Sequence, residues 1–360
     1  VKLLHTSDLL LGQEFARCYE VADRVRAARM EALRGILALG RKEAADAIII
    51  AGHLWADNRV GLALIEEAAA LLSRSEVPIF LLPGHRDPMT ADSPYELYPD
   101  RFAGRVKILA TNDPVILKGG VTLLPFPVKR RGVSGDPTRS LPDREREPLR
   151  ISVVNTSSEG YRLGAGGLAK RDLDYLCAGG EVQRKTDEGI HWCGAPEPTD
   201  FGQQCGTVTM VRLSAGEPAE TRTVSTAGLE WKDEIATITE PARLKELAAQ
   251  WSRYQSRATT LLRLTLRGQM DQDGMAAVEE LRRTLQAKLL HLDLRLEVGP
   301  KLDGFGYRHP LLSAVAANLA QKASTRTGGD SEAMAQAEVA REALAMLLKT
   351  LQTSPHGDLV

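Results

Sequence analysis

The sequence predicts an α/β protein, a two-sheet sandwich flanked by helices, with a smaller α+β domain and C-terminal helices after it. Three observations carry this. From Val1 to Leu82, short apolar or β-branched runs alternate with helix-period segments, the pattern of a sheet covered by helices. From Val106 the texture changes to short strands broken by Gly and Pro, which argues for a second sheet rather than one doubly wound sheet. After Trp231 the order becomes helix, strand, helix, strand, with a hydrophobic pattern of its own.

Taken in order, Val1 to Thr6 reads as a strand, Val21 to Glu43 as an amphipathic helix, Ala47 to Ala51 as a strand, Val60 to Ser73 as a helix and Val77 to Leu82 as a strand. Shorter strands follow at Val115 to Leu117, Val121 to Leu124, Ile151 to Asn155, Tyr175 to Ala178 and Thr207 to Leu213. Pro127 to Arg150 is rich in Pro, Arg, Asp and Ser, carries Lys129, Arg130 and Arg131 in a row, and has no periodicity. It reads as a long exposed loop, with phosphate contact as the sharper alternative. Beyond Trp231 come Pro241 to Tyr254 (helix), Thr259 to Arg267 (strand), Gly274 to Leu290 (helix) and Asp293 to Val298 (strand). The tail adds helix-period stretches at Pro310 to Lys322 and Ser331 to Leu351, separated by Thr325 to Asp330 with Gly328 and Gly329 as breakers. Ala340, Leu344, Leu347, Leu348 and Leu351 share one apolar face, which either packs on the parent domain or docks onto a partner's helices. The expected domains are 1–230, 231–308 and 309–360.

With 46 basic and 47 acidic residues the net charge is −1, so no global field draws the chain to nucleic acid and any such contact is a local patch. No apolar run approaches the ~20 residues that span a membrane, and the first residues lack the features of a signal peptide. The expectation is a cytoplasmic protein. Cys18, Cys177, Cys193 and Cys205 have no CxxC spacing, which fits reduced, partly buried thiols.

The chemistry is expected in polar turns just after successive strands: HTSDLLLGQ (His5 to Gln13), AGHLWAD (Ala51 to Asp57) and LPGHRDP (Leu82 to Pro88). In this order and spacing they resemble the calcineurin-like metallophosphoesterases, specifically the SbcD/YhaO-type DNA repair exonucleases. DYLCAGGEVQ (Asp174 to Gln183) and WCGAPEPTDFGQ (Trp192 to Gln203) are similar to further strings of that family. The resemblance implies a metallophosphoesterase-type sandwich, a capping domain, a homodimer, and tail helices that engage a Rad50-like or SbcC-like ATPase, with DNA as the associated ligand and no membrane.

The family's two-metal hydrolysis needs a carboxylate bridging two cations, ringed by imidazoles and carboxylates. Of the eight matching positions only Asp8 keeps its residue type. Leu10 has no donor atom, and His53, at the bridging position, offers one lone pair and no charge. His85 replaces an Asn, Arg86 and Asn155 each replace a His, and Gly180 and Val182 replace the imidazoles of a GHxH turn. A guanidinium ~5 Å from a divalent cation would repel it by about 6–7 kcal/mol at an effective dielectric of ~20. The expectation is therefore a vestigial cleft of Asp8, Leu10, His53, His85, Arg86, Asn155, Gly180 and Val182, with no catalytic residue and no metal ligand. Arg86, His53 and His85 are candidates for binding a phosphate directly. No cofactor is expected; the residual alternative is an active one-metal phosphodiesterase with a single Mn, Fe or Zn ion on Asp8, His53 and His85. His191, His309, Trp55, Trp192, Trp231 and Trp251 read as core or rim, and His5 as a buttress of the first turn.

Overall fold

Period-two alternation sorts the first strands' side chains onto two faces. In β1 (Lys2–Thr6) and β2 (Ala47–Ile50), Leu4, Ile48 and Ile50 point into a core shared with helices, while Leu3, Ala47 and Ile49 point into a core shared with another sheet. The computed structural model describes residues 1–270, 272–300, 310–324, 336–344 and 346–347. The chain divides into two units, Val1–Trp231 and Lys232–Val360.

In the first unit the strands continue with β3 (Ile79–Leu81), β4 (Val106–Ile108), β5 (Val115–Ile116), β6 (Val121–Phe126), β7 (Leu149–Asn155), β8 (Tyr175–Gly179), β9 (Lys185–Asp187), β10 (Ile190–Trp192), β11 (Thr207–Arg212) and β12 (Glu220–Ser225). They form two six-stranded sheets, ordered β12-β11-β1-β2-β3-β4 and β5-β6-β7-β8-β10-β9. Neighbours from β1 to β4 run parallel, as do β6, β7, β8 and β10, so the carboxyl ends of the central strands of each sheet lie on one edge. The helices are α1 (Ala22–Lys42), α2 (Leu62–Ser73), α3 (Pro94–Leu97) and α4 (Gly167–Arg171). Met30, Leu33 and Ile36 of α1 and Ile65, Ala68 and Leu72 of α2 cover the outer face of the first sheet at helical spacing. Ile49, Val211, Ile151, Val153 and Cys177 fill the space between the sheets. Each large apolar side chain buried this way contributes roughly 1.5–3 kcal/mol. The sandwich is thus the α/β architecture that the alternating pattern predicted.

The second unit carries a three-stranded sheet of β13 (Glu230–Ile238), β14 (Thr260–Met270) and β15 (His291–Pro300), with helices α5 (Ala242–Ser252), α6 (Gln272–Gln286) and α7 (Pro310–Ser324). Leu244, Leu247 and Trp251 of α5 and Val278, Leu281 and Leu285 of α6 close a core over Leu262, Leu264 and Leu266. In the tail, 336–344 is helical with Ala340 and Leu344 buried and Leu347 half-buried; His309, the break from Thr325 to Asp330, Leu348 and Leu351 lie outside the described residues.

One reading is corrected and one strand is added. Pro127 to Arg150 is not wholly an exposed loop: Pro127, Val128 and Thr138 are buried, and Leu149 and Arg150 already belong to β7, Arg150 being 1% exposed. Charge made Arg150 look like surface; its neighbours in the folded sheet bury it. Glu230 to Ile238, which the sequence reading placed in no element, is a strand; Lys232, Asp233 and Glu234 in a row break the alternation that would have marked it.

Candidate functional site

The turns after β1 and β2 are stitched together by backbone. Asp8 N donates to Gly52 O (3.1 Å), Leu10 N to His53 O (2.9 Å) and Leu11 N to Leu54 O (2.9 Å). This ladder holds Asp8, Leu10 and His53 at φ of 56°, 49° and 57°, the left-handed region, which costs a non-glycine residue about 1–3 kcal/mol. Arg29 of α1 clamps the first turn from below. Its buried guanidinium donates to Asp8 O, Leu9 O, Glu197 O and Pro198 O, and burial pulls its pKa down only to about 10, so it stays charged. The turn after β3 is tied in by Asp87, fully buried, which accepts from the amides of His53, Trp55 and Gly84 and from Tyr95 Oη. Burial pushes the Asp87 carboxyl up, against the pull of His53 and these donors.

Within this frame most of the polar side chains at the strand ends hydrogen-bond to one another or to the backbone. Asp8 Oδ1 lies 2.7 Å from His53 Nδ1, and Oδ2 accepts from Ser7 Oγ (2.6 Å) and Gly180 N (3.0 Å). Burial pushes the Asp8 carboxyl up, but those hydrogen bonds and the His53 ring outweigh it and hold its pKa below the ordinary value. Asn155 Oδ1 accepts from His85 N (3.0 Å) and its Nδ2 donates to Ala51 O (2.9 Å). His85 Nε2 accepts from Tyr161 N (3.0 Å), which puts its proton on Nδ1. Burial and the nearby His53 lower the His85 pKa to about 4, so it is neutral at pH 7.

The carboxyl ends of both sheets open onto a cavity of about 400 Å³. Of the expected residues, His53, His85, Arg86 and Gly180 line it. Asp8, Leu10 and Asn155 are 1%, 2% and 0% exposed and contribute no lining surface; Val182 stands outside the lining, its carbonyl accepting from Ala195 N. Gly132, Val133, residues 157–160 and Glu181 complete the wall. Sequence reasoning passed over residues 157–160, although a polar, glycine-ended turn straight after β7 was the available signal. Arg86 is exposed, so the repulsion expected from it is screened by water; spent donor atoms, not Arg86, are what the geometry sets against a metal.

The residues present do not fit a metal pair. A metal needs free lone pairs converging on one point, whereas Asp8 and Asn155 have theirs committed, the His85 Nε2 lone pair faces Tyr161 N, and Leu10 has none. Among the described residues no group of three or more His, Cys, Asp or Glu is placed to hold an ion. His53 Nε2 is sealed from solvent with no partner.

His5, expected as a buttress of the first turn, instead reaches across to β8, its Nδ1 3.0 Å from Tyr175 Oη. Burial, reinforced by His191, lowers its pKa to about 3. A folded pKa depressed below the unfolded ~6.5 means that the unfolded chain binds more protons as pH falls, so stability present at pH 7 drains away through pH 6 and 5. The expected loss from His5 alone between pH 7 and pH 5 is about 2 kcal/mol. Urea unfolding at both pH values checks this: His5→Gln should flatten the dependence by that amount, and an unchanged slope would refute the assignment.

Among the described residues no helix is long and apolar enough to cross a membrane. No protein-family model matches the chain, and no curated protein does. Among solved structures the chain is similar to TT1561 of Thermus thermophilus, at 13% identity and a TM-score of 0.39, over 62% of this chain and 98% of that one.

Proposed function

We propose that this chain is a phosphoesterase-type scaffold without phosphoesterase chemistry, a noncatalytic DNA-associated or scaffold subunit of the SbcD/YhaO type that acts by binding and engages a Rad50-like or SbcC-like ATPase. The observation that carries the first part is Asp8. The one carboxylate retained at the matching positions is 1% exposed, with both oxygens hydrogen-bonded inside the protein. The DNA and ATPase assignments rest on the resemblance of the sequence motifs. In the cleft, Arg86 is the permanent cation at the wall, and neutral His85 can donate only through Nδ1. Glu159 and Glu181 line the same cavity, so a phosphate there would depend on Arg86.

A second reading, a one-metal phosphodiesterase, is favoured by a single feature, the unpartnered His53 Nε2. Metal analysis separates the two. After equilibration with manganese and gel filtration, the chain is expected to retain well under one ion and to show no metal-dependent cleavage of short DNA. A short oligonucleotide should bind in a salt-dependent way and about fivefold more weakly to Arg86→Ala. Stoichiometric metal together with nuclease activity lost in Asp8→Asn would establish the enzyme instead.

A further inference from the structure

The chain leaves the first unit through the segment after β12, and one buried carboxylate holds that segment in place. Glu197, in the string WCGAPEPTDFGQ, is 0% exposed. Its Oε2 accepts from Gly228 N at 2.7 Å and its Oε1 from Leu229 N at 3.2 Å. Beside this clasp, Thr226 Oγ1 donates to Pro196 O at 2.8 Å, and the amides of Thr226 and Ala227 donate to Gly206 O at 2.9 and 3.2 Å. Glu230 then opens β13, which carries the chain into the second unit.

A carboxylate taken out of water is ordinarily matched by a cation, yet among the described residues the Glu197 carboxylate forms no ion pair. The cation that acts on it is Arg29 of α1, whose guanidinium donates instead to backbone carbonyls, Glu197 O among them. From the segment before β11 it meets the Cys205 thiol, which burial pushes up to about 11 and so keeps neutral. The segment after β12 presents amides to it, and residues 226–229 carry no titratable side chain. Two amides and Arg29 do not make up for the lost water: burial pushes the Glu197 carboxyl from 4.5 up to about 6, against the pulls of Gly228 N, Arg29 and Leu229 N. By linkage, a carboxyl that holds its proton more tightly inside the clasp than in water favours the closed clasp at low pH and opposes it once ionised.

We propose that Glu197 is a proton-operated clasp on the exit of the first unit: protonated, it keeps residues 226–229 seated, and ionised, it lets them open, so that the hold on the chain just before β13 weakens as pH rises. The clasp works whether or not the cleft holds a ligand. The test is amide hydrogen exchange of the full chain, followed by NMR at several pH values from 5 to 7.5 and corrected for the intrinsic pH dependence of exchange. Gly228 and Leu229 are expected to be about eightfold better protected at pH 5 than at pH 7.5, with the change centred near pH 6. Its direction is opposite to the effect of His5, which weakens the whole unit on acidification, so global stability cannot imitate it. In Glu197→Gln, which keeps the shape of the side chain and cannot ionise, the protection of both amides should be flat over this range. If that variant does not fold, the wild-type profile decides by its sign and its midpoint. Protection that is level or falls on acidification in the wild type, a midpoint near 4.5, or an unaltered profile in Glu197→Gln overturns the proposal.

Discussion

Asp87→Ala is expected to destabilise the first unit by about 3–5 kcal/mol, although position 87 is no part of the cleft surface. The carboxylate is 0% exposed and collects hydrogen bonds from the amides of His53, Trp55 and Gly84 and from Tyr95 Oη. It thereby ties the turn after β2, the turn after β3 and helix α3 to a single point. Alanine leaves all these donors dry and unpaired, and the penalty is set by their desolvation rather than by the modest net worth of each bond. Hydrogen exchange of the β1, β2 and β3 amides reports on this unit alone. Protection should fall about a hundredfold to several-thousandfold. A loss below ~1 kcal/mol would show that water reaches these donors and that the turns hold without the carboxylate. Asp87→Asn should be milder, since one oxygen is kept, but its amide N–H groups would meet other donors.

How far the sequence can be read follows from what covers each strand. β1, β2, β7 and β8 are buried on both faces, so they appear as apolar runs whose ends the sequence marks within a residue or two. β9 and β12 are sheet edges, with every residue of β9 and most of β12 exposed, and they carry Lys, Asp, Glu, Arg and Thr in place of an apolar pattern. Edge strands are commonly charged, because an apolar edge invites pairing with another chain. The physical need to keep that edge unattractive is therefore also what hides β12 from hydrophobic periodicity.

The cleft is legible in outline for a different reason. A parallel sheet must turn at the carboxyl end of each strand, and polar strings rich in Gly, Asp and His mark those turns. Which side chain faces the cavity is beyond reach, because it depends on backbone angles: Asp8 and Leu10, at positive φ, are folded inward and end up buried. The pairing of Asp8 with His53 could be suspected from residue types, whereas the use of Asn155 as a clip between Ala51 and His85 depends on the meeting of the two sheets. Arg150 shows the same limit outside the cleft, since a charged residue in a polar stretch gives no sign that folding will bury it.

Gly180→His, which puts an imidazole where the resembled family carries one, is expected to disrupt the cleft rather than restore it. Gly180 has a φ of 93°, and a Cβ there would overlap Thr156 O and sit 2.9 Å from Thr156 N. Neither atom is the end of a flexible side chain that could swing aside: Thr156 N is bonded to Gly179 O at 2.8 Å, so the strand ends would have to part. Backbone strain of ~1–3 kcal/mol and overpacking of similar size put the cost at about 2–6 kcal/mol. Moving Gly180 would also remove its amide from Asp8 Oδ2, freeing one carboxylate oxygen only by dismantling the turn that positions it. Gly180→Ala separates the two effects, since it carries the steric cost without the ligand: both variants should lose comparable protection in β7 and β8, and neither should take up manganese. A Gly180→His chain as stable as wild type that binds manganese stoichiometrically would mean that the cleft is held open for metal, and that the internal pairing of Asp8 is only its resting state.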